Sequence, residues 1–222
     1  LAGNQLTELP PEMEACKNLE LLRISANQLG TLPHWLLHLP KLSWLAFSGN
    51  KFNARHVEPK PLQEINWKEF ILEEQLGEGA SGNIYKALWP SNAVYKEVAI
   101  KVFKGEVTSD GFPEDEMQAT IAAGAHSNLV TLLGSISEHP QQKTGLVIEL
   151  IPPSYKNLGL PPSYSTCSRD TFKEETSFTA EQILKIATQV ADAANQLHVR
   201  GLMHGDLYAH NTLITTEADT LM

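Results

Sequence analysis

Cysteine is scarce: two residues in 222, Cys16 and Cys167, far apart and without a metal-binding or redox spacing. That scarcity excludes a disulfide-stapled scaffold and a thiolate metal centre. It suits a reducing compartment, so a cytoplasmic location is expected. Long apolar runs are missing too: none approaches the ~20 residues that span a bilayer, and no signal-peptide pattern opens the sequence. Basic residues are few, with 17 Lys+Arg against 26 Asp+Glu and a net charge of -9. No basic block interrupts that excess, which argues against a nucleic-acid or anionic-membrane surface. What remains is 42% hydrophobic and 19% charged, the composition of folded globular protein, with length for one or two domains.

The first quarter of the chain repeats itself. Asparagine recurs every 23 residues, at Asn4, Asn27 and Asn50. Leu6, Leu29 and Phe52 keep step with it, as do Leu9 and Leu32, Pro10 and Pro33, Leu19 and Leu42, Leu22 and Leu45, and Leu1, Ile24 and Phe47. So many positions moving together resemble the leucine-rich repeat. The resemblance implies an α/β repeat solenoid over residues 1–53. Short strands point leucines inward, and each asparagine ties backbone groups at the turn that follows. Leu21, Arg23 and Ser25, then Trp44, Ala46 and Ser48, would face outward on the concave side, where a protein partner is expected. Trp44 would either anchor that partner or pack on the next domain. About three or more units are needed to bury their own faces, so further repeats are expected ahead of Leu1. Residues 54–66 lose the period, carry two prolines and read as a linker. A second domain is expected over residues 67–222, its first strand starting at Trp67.

In that second part, Leu76-Gly77-Glu78-Gly79-Ala80-Ser81-Gly82 precedes a short β-rich run, Asn83 to Trp89, that stops at Pro90-Ser91-Asn92. Glycines let backbone N–H groups approach phosphate oxygens that a Cβ would hold away. Dinucleotide-binding folds use the same spacing but open a helix with it; here a strand follows. The next strand, Glu97 to Phe103, carries Lys101. Further on, Thr179 and Gln182 form a capping box with Phe178 ahead of it. The helix they open carries Ile183, Ile186, Ala187, Val190, Ala194 and Leu197 as one apolar stripe. After Gly201 comes His204-Gly205-Asp206-Leu207-Tyr208-Ala209-His210-Asn211.

A glycine hairpin, a lysine on the third strand, a long capped helix and an Asp/Asn loop, in that order, resemble the eukaryotic-type protein kinase family. The resemblance implies an α+β domain that uses ATP and Mg2+ and phosphorylates protein hydroxyls, serine or threonine more than tyrosine. Gly77, Gly79, Gly82 and Lys101 would hold the phosphates, and Leu76 beside them would belong to the same cofactor site. Ile84, Ala99 and Leu213 would sandwich adenine. Backbone groups at Glu149 and Ile151 would bond its edge, with Ile148 behind it. Family members place the glutamate that pairs with the strand lysine ten residues before the histidine of a His-x-Asn-Leu segment, here His126 to Leu129. That matches Glu116 on a helix within residues 110–125, with Glu114 its rival. Asp206 would accept the substrate hydroxyl proton, and Asn211 would bind magnesium.

The sequence departs from the family in three places. Gly205 stands where an arginine usually meets a phosphorylated activation loop. Tyr208 stands where serine/threonine kinases carry a lysine. Asp-Phe-Gly, whose aspartate binds the main magnesium, does not occur, and Asp219 reads as part of a hairpin turn. Residues 1–222 are therefore expected to be a piece of a longer chain, cut inside both patterns and catalytically silent or very weak alone. Two alternatives follow: an interaction scaffold built on a pseudokinase, or a small-molecule kinase of the aminoglycoside or choline type, suggested by His204-Gly205-Asp206. The Pro-Pro-Ser-Tyr pairs at 152–155 and 161–164 read as an extended connection, with docking to an aromatic groove as the sharper reading.

Overall fold

The computed structural model describes residues 1–53, 62–79, 81–91, 94–105, 107–108, 111–166 and 170–222. Most of the expected linker (54–61), Ala80, Asn92, Asp110 and Cys167 lie outside them. Among the described residues no helix is long and apolar enough to cross a membrane.

The 23-residue period becomes a parallel ladder. Strand β1 (Leu21–Arg23) pairs in parallel with β2 (Trp44–Ala46), Leu21 opposite Trp44 and Arg23 opposite Ala46. The two buried asparagines, Asn27 and Asn50, satisfy their amides on backbone groups. Asn50 donates to Ile24 O at 2.9 Å and Phe47 O at 2.8 Å, and accepts from Leu29 N at 3.1 Å. Asn27 donates to Ile24 O, Ser25 O and Leu1 O and accepts from Leu6 N. Leu9, Leu22, Ile24, Leu29, Leu36 and Leu39 form the core between the strands and the 3-10 turns Pro11–Ala15 and His34–His38. Those turns stand where an α/β solenoid would carry helices; prolines at their entries favour the short form. Ser25, expected to face outward, is fully buried. The Arg23 guanidinium lies over the Trp44 ring, 4.9 Å from its centroid.

The second sheet has six strands in the order β3-β7-β8-β6-β5-β4. They are β3 (Glu64–Asn66), β4 (Ile71–Glu78), β5 (Gly82–Ser91), β6 (Val94–Phe103), β7 (Leu132–Ser137) and β8 (Gly145–Glu149). All neighbours are antiparallel except β3, which runs parallel to β7. Two expectations are corrected here. Glu64–Asn66, read as linker, is an edge strand whose Ile65 is buried in the core. Trp67 does not start a strand: Asn66 accepts from Lys68 N while Glu69 returns to Asn66 N, and this capping box winds Trp67–Glu69 into a 3-10 turn.

Strand alternation assigns the two faces of β6. Val98, Ile100 and Val102 point into a core with Ile65, Phe70, Ala87, Ile136 and Val147. Burying each larger side chain there is worth about 1.5–3 kcal/mol. Ala99 and Lys101 take the opposite face. The first helix, α1 (Pro113–Ala123), follows β6 and stops at Gly124, whose φ of 66° suits a residue without a Cβ.

Helix α2 (Ala180–Val199) starts at the expected capping box, Gln182 N donating to Thr179 Oγ1 at 3.2 Å. Its buried contacts are Ala193 and Leu197 with Leu129, joined by Ala123, Leu202 and Met222. The expected stripe is only partly buried: Ile183 and Ala187 are exposed. The packing partners gather at the C-terminal half of α2 and leave its first turns uncovered. A small antiparallel sheet completes the fold: β9 (Lys156–Asn157), β10 (Leu213–Ile214) and β11 (Thr220–Leu221). It draws Lys156 and Asn157 out of the otherwise irregular proline-rich stretch. Asp219 lies at the β10–β11 hairpin, its N–H donating to Thr215 Oγ1 at 3.1 Å. Asn128 ties this region to α2, donating to Thr220 O at 3.0 Å and to Gln189 Oε1 at 3.2 Å.

Candidate functional site

The glycine segment is the hairpin between β4 and β5. Gly79 N donates to Gly82 O at 2.9 Å and Lys104 N to Ser81 O at 3.0 Å, which close the turn. The glycines differ in what surrounds them. A Cβ on Gly82 would come within 2.5 Å of Val102 O, whereas nothing lies within 4 Å of one on Gly77, and Gly79 meets only Gly82 O at 3.9 Å. Gly82 thus serves strand packing; Gly77 and Gly79 leave the backbone open to a ligand.

Cross-strand register gathers the expected residues on one face. Ile84 pairs with Gly77 on β4 and with Lys101 on β6, while Ala99 pairs with Ile148 on β8. Lys101 Nζ donates to Glu116 Oε1 on α1; Glu116, not Glu114, receives the lysine. At the end of β8, Glu149 N donates to Thr131 O at 2.9 Å. Its side chain accepts from Lys96 Nζ at 3.0 Å, a bond that holds the carboxyl below its ordinary range. Leu76 is exposed on β4, and Ile151 follows β8 in irregular chain.

The acidic loop lies between α2 and β10. Asn211 Nδ2 donates to Asp206 Oδ2 at 2.7 Å and to Asp206 O at 3.1 Å, so the amide oxygen is directed away from the carboxylate. Leu213 follows on β10, in the small sheet rather than the large one. Burial pushes the His204 imidazole below its ordinary value, against the pull of Asp206, and keeps the ring neutral. Burial, then the carboxylates of Asp206 and Asp170, push the Tyr208 phenol up.

Two residues were not anticipated. Lys104 reaches Glu78 Oε1 at 2.6 Å and Gly79 O at 3.1 Å, a second cation at the hairpin that lowers the Glu78 pKa. Its position just past β6, three residues beyond Lys101, was the available signal. Asp170 accepts from Ala209 N at 3.0 Å and braces the acidic loop across 39 positions; nothing local in the sequence announces it.

Two oxygen-bearing side chains, Asp206 and Asn211, suit a hard cation that completes its shell with waters and phosphate oxygens. Among the described residues no group of three or more His, Cys, Asp or Glu side chains converges as a self-contained metal cage. The open backbone at Gly77 and Gly79, with the Lys101 ammonium on the same face, fits a nucleotide's phosphates, whereas Lys104 lies beside Val102 and Asn83 on the opposite face.

Comparison with known proteins agrees with this geometry. Residues 70–220 match the family model described as protein tyrosine and serine/threonine kinase, and residues 1–52 match leucine rich repeat. A probable serine/threonine-protein kinase, gdt4, of Dictyostelium discoideum is 28% identical over 172 residues, covering 78% of this chain and 9% of its own length. A probable serine/threonine-protein kinase of Clostridium acetobutylicum is 27% identical, covering 67% of this chain and 20% of its own. Fibroblast growth factor receptor homolog 1 of Drosophila melanogaster is 29% identical, covering 72% and 24%. The chain thus spans at most a quarter of the length of these relatives. With a family model matching well over half of its residues, the chain belongs to the protein tyrosine and serine/threonine kinases, and leucine-rich repeats precede its kinase region.

Proposed function

We propose that this region binds ATP and Mg2+ and belongs to a cytoplasmic kinase that transfers the γ-phosphoryl group to protein serine or threonine hydroxyls, its repeats extending as a solenoid that recruits a protein partner. The observation that carries the reading is the Lys101–Glu116 pair on the cleft face of β6, beneath a hairpin whose Gly77 and Gly79 are open.

The residues divide the work. Gly77, Gly79 and Gly82 shape the roof over the phosphates. Glu116 fixes the direction of the Lys101 ammonium, so that the cation is in place before the phosphates arrive. Ile84, Ala99 and Leu213 supply apolar surface for the adenine ring. Because Glu149 N–H is already committed to Thr131 O, the Glu149 carbonyl is its group for the adenine edge, and Ile151 supplies the N–H. Asn211 and Asp206 offer oxygens to magnesium, whose charge offsets that of the phosphates when bound. Asp206 also orients the acceptor hydroxyl and takes its proton. Relatives whose names place them among both serine/threonine kinases and receptors leave serine/threonine as the reading of this sequence.

A fluorescent ATP analogue titrated into residues 1–222, with and without Mg2+, tests the binding half. Lys101→Met should weaken binding about tenfold or more, the scale of one charged contact, and Glu116→Gln less. Equal affinity in all three proteins would end the proposal. Phosphoamino-acid analysis of a protein substrate treated with the full-length protein tests the transfer half.

A further inference from the structure

Helix α1 holds Glu116 but has little core of its own. It is 11 residues long and only Pro113 is buried. An isolated helix of fewer than about 12 residues is marginal in water, so contacts at its ends decide where it sits. At the C-terminal end Arg200 Nη1, from the cap of α2, donates to Ala122 O at 3.2 Å, and Gln196 Nε2, from α2 itself, to Ala123 O at 3.3 Å. At the N-terminal end the contacts come from the repeats. Ser48 Oγ donates to Asp115 Oδ2 at 2.8 Å, one residue from Glu116. The Phe112 ring covers Gly49 so closely that a Cβ there would stand 2.6 Å from it. Gly111 packs on Ser48, where a Cβ would meet the serine Cβ at 2.8 Å.

The repeat side of this contact is stiff. Ser48 and Gly49 lie in the turn stapled by Asn50, whose Nδ2 donates to Phe47 O, and Ala26 N donates to Ser48 O at 2.8 Å. Gly49 has φ +72°, which a side chain rarely adopts. A rigid turn thus meets the end of a weakly anchored helix.

We propose that the second repeat acts as a positioning element for the kinase site. Ser48 and Gly49 seat the N-terminus of α1 and thereby set Glu116 against Lys101. This rests on the reading of that pair as a phosphate grip. Strand β2 runs straight into Ser48, so whatever displaces the Phe47–Asn50 turn displaces Glu116.

The test compares Ser48→Ala, Ser48→Asp and the swapped double variant Ser48→Asp/Asp115→Ser in residues 1–222. Hydrogen exchange of residues 113–123 is read beside affinity for the ATP analogue. Ser48→Asp sets two carboxylates face to face and should speed α1 exchange about tenfold, Ser48→Ala by less, the scale of a charge-assisted hydrogen bond. The double variant restores a hydroxyl–carboxylate pair and should restore protection. Affinity should fall several-fold with Ser48→Asp, but not further when Glu116→Gln is already present. Unchanged α1 exchange in both single variants overturns the proposal, as does an equal affinity loss in the Glu116→Gln background. Should Ser48→Asp unfold the repeats, seen as exchange throughout residues 1–53, Ser48→Ala and Asp115→Ala decide by the same criterion. If Glu116→Gln alone leaves affinity unchanged, the phosphate-grip reading fails, while α1 exchange still reports whether the repeats seat the helix.

Discussion

Gly77→Ala and Gly82→Ala should separate binding from folding within a single hairpin. The two glycines lie five positions apart and look interchangeable in the sequence. In the structure they are opposites. A methyl on Gly82 would stand 2.5 Å from Val102 O, 3.2 Å from Val102 C and 3.3 Å from Phe103 Cα. These are backbone atoms of the paired strand and cannot swing aside as a side chain could. The β5–β6 ladder must open locally, at about 1–3 kcal/mol for overpacking. A methyl on Gly77 meets nothing within 4 Å, so stability should stay within about 0.5 kcal/mol, the ordinary range for exposed changes. That same methyl would occupy the approach to the phosphates and hold off the backbone N–H groups. Losing one hydrogen bond to a charged group, at about 1.5–3 kcal/mol, weakens nucleotide binding by about tenfold to a hundredfold. Urea denaturation and titration with the ATP analogue, run on both variants, give the four numbers. The reasoning is refuted if Gly77→Ala binds nucleotide like the parent, or if Gly82→Ala unfolds at the parent's urea midpoint.

Further outcomes follow from other parts of the chain. Asn50→Ala orphans three backbone groups at a buried position and should cost about 2–4 kcal/mol, read as a lower urea midpoint for the repeats, with Asn4→Ala, whose bonds are exposed, nearly silent. His204 is lowered from its ordinary 6.5 by burial. Between its folded value and 6.5 the unfolded chain therefore binds more protons, and stability falls as pH drops through that window. His204→Phe should lose less thermal stability than the parent between about pH 7.5 and about pH 5.5; an identical loss would show that the ring is not the titrating group. Lys104→Ala removes the Glu78 partner on the sheet face opposite Lys101 and should leave nucleotide affinity close to the parent's, in contrast to Glu116→Gln; a loss as large as that of Lys101→Met in the same titration would contradict this assignment of faces.

Much of this architecture was legible because it is periodic or locally capped. The asparagine ladder follows from one spacing, and α2 starts where Thr179 and Gln182 require. Lys101 and Ala99 share a face because strands alternate, and the glutamate fixed by its distance from His126 is the one that meets the lysine. What escaped is non-local. Ile65 is an edge-strand core residue only because β7 lies beside Glu64–Asn66, and Pro59 and Pro61 just before it give the segment a linker's composition. Trp67–Glu69 reads as strand by composition, yet a side-chain cap outweighs propensity there. The apolar stripe on α2 runs along the whole helix, but Leu129, Leu202 and Met222 cover only its C-terminal half. Asp170, 39 positions from the backbone it braces, and Ser48, 67 from Asp115, belong to contacts that only the assembled chain defines.

On the proposed reading, the Lys101 ammonium, held by Glu116 under the glycine hairpin, grips a nucleotide's phosphates. An acyl-phosphate derivative of ATP, which transfers its acyl group to a lysine amine lying against the phosphates, tests this most directly when the labelled site is read by peptide mass spectrometry. Acylation is expected at Lys101, suppressed by excess Mg-ATP and reduced by Glu116→Gln. Acylation spread over surface lysines, with Lys101 unmodified or unprotected by ATP, would contradict it.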